Sequence, residues 1–187
     1  MPTRAVSCTV TSRGVGTAIV RAYDYDRIER PPRQKRCYEV PLYHMILSAE
    51  DTSKEYHFKV IRFGVVIGRR GDYLHATPAS QHELIWQDGY MSGKGAWKLS
   101  NRPKALVHDG ADYPQKKAWG AAGCIEVTGL VGGQDAWRVF NQRVRELSGV
   151  PKDWRRIEAH KLIQKNRSFK CVLQPVAKPP LKPVRCP

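Results

Sequence analysis

Seven glycines and prolines fall between residues 68 and 103: Gly68, Gly71, Pro78, Gly89, Gly93, Gly95 and Pro103. No helix of ordinary length tolerates that density, because proline removes a backbone donor and glycine carries conformational freedom that a helix must suppress. The segment is therefore read as turns and short strands. It also holds Tyr73, Trp86, Tyr90 and Trp97, which predicts a loop-rich cover over a small sheet, with some rings open to line a ligand.

The flanking sequence is strand-like. Ala5 to Val10 forms a short strand, and Cys37–Leu47 and Tyr56–Ile67 form a hairpin around the turn Asp51-Thr52-Ser53-Lys54. Lys104 to Val107 is a further short strand that ends at His108-Asp109-Gly110. Ala136, Trp137, Phe140, Val144 and Leu147 recur at helical spacing after Asp135, a capping residue, and Gly149-Val150-Pro151 stops that helix. A weaker helix is expected over Trp154–Lys165 with Ile157 and Leu162 inward, followed by a last strand over Phe169–Leu173. The fold class expected is mainly β or α+β, compact, with one or two C-terminal helices. Residues 1–36 read as an N-terminal strand and a basic arm, 37–173 as a single β-rich domain, and 174–187 as a flexible Lys/Pro tail that cannot enter a sheet.

The chain has 187 residues and a formal net charge of +15. Residues 151–187 carry ten Lys or Arg against two acids. Such a tail reads as an electrostatic anchor or a solubilising extension, and nucleic acid is the runner-up partner. No run approaches the roughly 18 apolar residues of a membrane span, and the N-terminal residues do not resemble a signal-peptide core. Neither a transmembrane segment nor ordinary signal-directed export is expected. With five cysteines, at least one thiol stays unpaired in a monomer. Cys8, Cys37 and Cys171 read as small buried hydrophobes and Cys186 as part of a disordered end.

Cys124 differs. Gly120-Ala121-Ala122-Gly123 precedes it and leaves room for a substrate and for backbone N–H groups facing an oxyanion, while Ile125 and Val127 root the following strand. His108 ends a strand 16 positions upstream and is the candidate base for a Cys124 nucleophile. The alternative is a buried, inert Cys124 with an unrelated surface histidine. Asp109, Asp112 and Glu126 are candidates to assist His108 or to bind an ammonium group. His75, His82 and His108 match no tight metal motif. No metal and no cofactor are expected.

The run Val107-His108-Asp109-Gly110, followed by Gly120-Ala121-Ala122-Gly123-Cys124-Ile125, resembles the signature of the L,D-transpeptidase (YkuD-like) family over about residues 104–128. Ala121 and Ala122 stand where that family carries a hydroxyl residue and a second histidine. The resemblance implies a β-rich catalytic domain acting on peptidoglycan stem peptides through a thioester, as a transferase or hydrolase of the L,D-transpeptidase or L,D-carboxypeptidase type. Cys124 would be the nucleophile, His108 the base, Asp109 its orienting neighbour and Gly123 an oxyanion donor. A bacterial cell envelope or periplasm, reached by non-classical delivery as an effector or phage product, is the implied location. The other class is a basic nucleic-acid-binding protein or a structural protein of a phage or secretion apparatus.

Overall fold

The structure is a computed structural model that describes residues 2–23, 36–90, 92–102, 104–116 and 123–187. In chain order the elements are β1 (Val6–Tyr23), β2 (Cys37–Ala49), β3 (Glu55–Ile61), β4 (Gly64–Val66), β5 (Tyr73–His75), β6 (Ser80–Gln87), β7 (Ala96–Leu99), β8 (Leu106–Asp109), β9 (Ile125–Thr128), β10 (Leu130–Val131) and β11 (Gln134–Asp135). Then come α1 (Ala136–Ser148), α2 (Arg156–Lys165), β12 (Phe169–Leu173) and β13 (Lys182–Val184).

Strand pairing runs β2-β3-β9-β8-β7-β6-β12-β1, and β1 pairs back onto β2, so among the described residues these strands form a closed ring. Closure removes the exposed edges that an open sheet would leave. The ring is mixed. β1 lies parallel to β12, and β8 parallel to β9, while the other neighbours within the ring are antiparallel. A parallel neighbour needs a crossover, and residues 110–124 supply the one between β8 and β9.

β1 is far longer than the short strand expected over Ala5–Val10. Register shifts between Val10, Gly14 and Gly16 bend it, and Gly16, at φ 137°, adopts a backbone that a side chain would oppose. One strand thereby serves β12 with its first half and β4 with its last residues. The hairpin of β2 and β3 forms where expected, but the stretch through Ile67 divides. Arg62 breaks it by turning inward, where its guanidinium donates to the Gln174 carbonyl at 2.5 Å and the Thr77 carbonyl at 3.4 Å.

Asp135 caps α1 by accepting the Arg138 N–H at 2.9 Å, and Gly149 closes it at φ 72°. Trp137, Phe140, Val144 and Leu147 are buried. The Phe140 ring meets Phe58 edge-on at 5.3 Å, which joins the helix to the sheet. In α2 the inward residues are Ala159, His160 and Ile163. Ile157, expected inward, is exposed, because the helix starts at Arg156 and its buried stripe begins one turn later.

The C-terminal segment corrects a second expectation. Lys182–Val184 pairs with Cys37–Glu39 of β2 despite its proline, and Cys186 is joined to Cys37 in a disulfide across 149 positions. Proline is tolerated because β13 is a single added edge strand. Cys37 and Cys186 are therefore neither a lone buried hydrophobe nor a loose end. Among the described residues no helix is long and apolar enough to cross a membrane. Glu29 to Lys35 of the expected arm and Trp119 to Ala122 before the candidate cysteine lie outside the described residues.

Candidate functional site

β8 and β9 set His108 and Cys124 on one face and Asp109 on the other. Their parallel register sets His108 beside Glu126 and Val107 beside Ile125. Since side chains alternate along a strand, Leu106 and His108 share a face with Cys124 and Glu126. β3 extends that face, with Ile61 opposite Glu126 and Lys59 opposite Thr128. The chain after β8 continues alongside β9. Gly110 N–H donates to the Val127 carbonyl at 2.9 Å, and the Thr128 hydroxyl donates to the Ala111 carbonyl. A Cβ at Gly110 would lie 3.0 Å from the Val127 oxygen, so the close approach of β9 leaves little room for a side chain.

His108 and Glu126 are buried, at 2% and 1% exposure. Nδ1–H of His108 donates to the Asp109 carbonyl at 2.7 Å, which leaves Nε2 as the acceptor nitrogen. Burial holds the imidazole below its usual pKa, with the Asp109 carbonyl pulling the other way. Asp109 extends to Lys94 Nζ at 2.6 Å, and Lys94 also reaches Asp135 at 3.1 Å. Burial raises Asp109 above the usual carboxylate range against the pull of Lys94. For Lys94 burial acts downward, but the Asp109 and Asp135 carboxylates outweigh it and hold the ammonium up.

Gly123 sits at φ 85°, and its carbonyl accepts the Thr77 hydroxyl at 2.5 Å. An added Cβ would lie 2.8 Å from the His75 ring. The Cys124 thiol packs with Ala96 and Leu106 and donates to the Lys104 carbonyl at 3.8 Å. The Cys124 thiol and the His108 imidazole thus direct these hydrogen bonds to backbone carbonyls. Burial pushes the thiol up to about 11, opposed by a backbone bond from Leu106 and aided by Glu126.

These observations overturn the thiol chemistry. The disulfide removes Cys37 and Cys186 from any nucleophilic role, and the three free thiols, Cys8, Cys124 and Cys171, are all buried. Burial disfavours the Cys124 thiolate, and the thiol and the His108 Nδ1–H are directed at the Lys104 and Asp109 carbonyls. The cysteine-dependent acyl transferase or hydrolase, with its thioester and its L,D-transpeptidase or L,D-carboxypeptidase activity, is withdrawn.

No family model, curated protein or solved structure matches this chain.

The Thr77 to Gly123 and Lys94 to Asp109 links had no signal in the sequence. They span 46 and 15 positions and arise only when β5, β7 and β9 are brought together. Among the described residues no group of three or more His, Cys, Asp or Glu is placed to hold a metal ion. His82 is buried and hydrogen-bonds Ser80 through Nε2 at 2.6 Å, while His108 sits on the far side of β7 in strand order.

The basic surface gathers elsewhere. Arg155, Lys165, Arg167, Lys170, Lys178 and Arg185 are exposed along α2, β12 and the terminal segment. Ion pairs in this region join Lys182 to Glu39 at 2.6 Å and Lys161 to Asp88 at 3.8 Å.

Proposed function

We propose that the chain is a non-catalytic binding module for an anionic bacterial cell-wall polymer and works in an oxidising compartment. The observation that carries this reading is the C-terminal segment. Residues 151–187 hold the largest share of the excess positive charge, and β13 together with the Cys37–Cys186 disulfide anchors the end of that region, with Lys182 and Arg185, to β2. Cations on a fixed frame lose less conformational entropy on binding than cations on a loose tail. A disulfide joining β2 to the terminus supports an extracytoplasmic setting, since reducing compartments keep such pairs open. Peptidoglycan stem peptides, which carry carboxylates, belong to the same expected surface.

The test is co-sedimentation of the full chain with peptidoglycan sacculi, with and without their anionic polymer, at about 50 and about 300 mM salt, where screening differs strongly. Binding that needs the polymer, falls with salt and weakens in Lys178→Gln/Arg185→Gln supports the reading. Equal binding to stripped sacculi, or tighter binding to an unrelated oligonucleotide at the same salt, overturns it, and the latter outcome assigns the surface to nucleic acid.

A further inference from the structure

His44 on β2 and His57 on β3 lie diagonally across an antiparallel pair. The register sets His44 opposite Lys59 and Ile46 opposite His57. Nε2 of His44 stands 3.0 Å from Nδ1 of His57, with ring centroids 4.9 Å apart and planes inclined by 25°. The rings are stacked with one nitrogen of each within hydrogen-bond distance of the other. Both line a cavity of about 350 Å³ whose wall also includes Lys59, Asp112, Gln115 and Thr128.

We propose that His44 and His57 chelate a divalent transition-metal ion at this cavity, with water in the remaining coordination positions. Two imidazole nitrogens on one tetrahedral ion, each at about 2.0–2.1 Å, are separated by about 3.3 Å. The observed pair needs to open by only a few tenths of an ångström and turn its lone pairs inward. In the metal-free pair one nitrogen donates its proton to the other. When the ion enters, the donor ring shifts that proton to its opposite nitrogen, both lone pairs become ligands, and no proton is lost if both rings are neutral. Arg13 and Lys59 are cations near the pair, while Glu55 and Asp112 are the nearby acids, so the local charge is mixed. A two-imidazole site follows the usual order of affinity, copper(II) above nickel(II) and zinc(II).

The experiment is calorimetric titration of the full chain with NiCl2, ZnCl2 and CuCl2 in a non-chelating buffer, with imidazole NMR resonances followed during Ni2+ or Cu2+ addition. One-to-one binding is expected, with the His44 and His57 resonances broadening first. His44→Gln and His57→Gln should each weaken binding by about a hundredfold or more, since even outer-shell changes at metal sites cost 10- to 100-fold. The NMR arm uses unaltered protein and does not depend on either variant folding. No saturable binding, unchanged affinity in either variant, or earlier broadening of other imidazoles overturns the proposal.

Discussion

Cys124 is small, buried and surrounded by Ala96 and Leu106, and its chemistry follows from that shell more than from the glycine before it. Moving a thiolate into apolar surroundings is unfavourable, so the proton stays on. Alkylation of the native protein by iodoacetamide at pH 7.5 is expected to be far slower at Cys124 than at a free cysteine, and peptide mapping measures it. Rapid labelling at Cys124 would show the thiol to be activated. His160 gives the opposite sign of acid–base behaviour. It is fully buried against the Trp86 and Trp97 rings, with centroids at 4.1 and 4.9 Å. Burial, then the Arg145 and Arg156 charges, lower its pKa to about 3. The unfolded chain therefore binds a proton near pH 6.5 that the folded chain refuses until about pH 3, so His160 supports stability above pH 6.5 and that support fades as pH falls. Urea unfolding at pH 7.5 and 4.5 should differ by about 2–3 kcal/mol from this residue. In His160→Leu that part of the slope should disappear.

At the scale of elements, α1 was legible because its sequence repeats an apolar stripe and names both ends, Asp135 and Gly149. The stripe packs against the sheet through β2, β3 and β9. Phe140 is fully buried and touches Phe58, Trp137 and Phe169. Phe140→Ala should cost about 3–5 kcal/mol in denaturant titration. A loss below about 1 kcal/mol would mean that the surrounding rings collapse into the space. β1 was not legible as one strand. Residues 11–17 lack the apolar alternation that marks a half-buried stave, and only pairing with β2 through two register shifts carries the strand past Gly14 and Gly16. In the second helix Leu162 packs against the core as expected, but Ile157 is exposed and Ile163 takes the buried place, since the two are equally apolar and the docking against β6 decides between them.

For the whole molecule, the disulfide is the element that most changes the picture. It closes a loop of 149 positions, and the chain-entropy model assigns long loops of that kind about 5 kcal/mol, with removal of native bridges commonly costing 2–5 kcal/mol. Cys186→Ser should lower stability by about 2–5 kcal/mol and expose residues 174–187 to protease. Thiol titration of the unfolded, unreduced chain should find the three free cysteines, and titration after reduction all five. Five thiols without reduction would show that the bridge is absent.

Strand-rich architecture, the two C-terminal helices and the crowding of positive charge near the end were determined by the sequence alone, because periodicity, breakers and charge are local properties. His108, Asp109, Gly123 and Cys124 could be singled out in the same way. What their chemistry becomes was decided by the tertiary structure. Burial and hydrogen-bond direction depend on which strands meet, and here burial raises the pKa of the thiol and lowers that of the imidazole. The joining of Cys37 to Cys186 and the approach of His44 to His57 are likewise products of register, a relation between distant segments that neither segment encodes by itself.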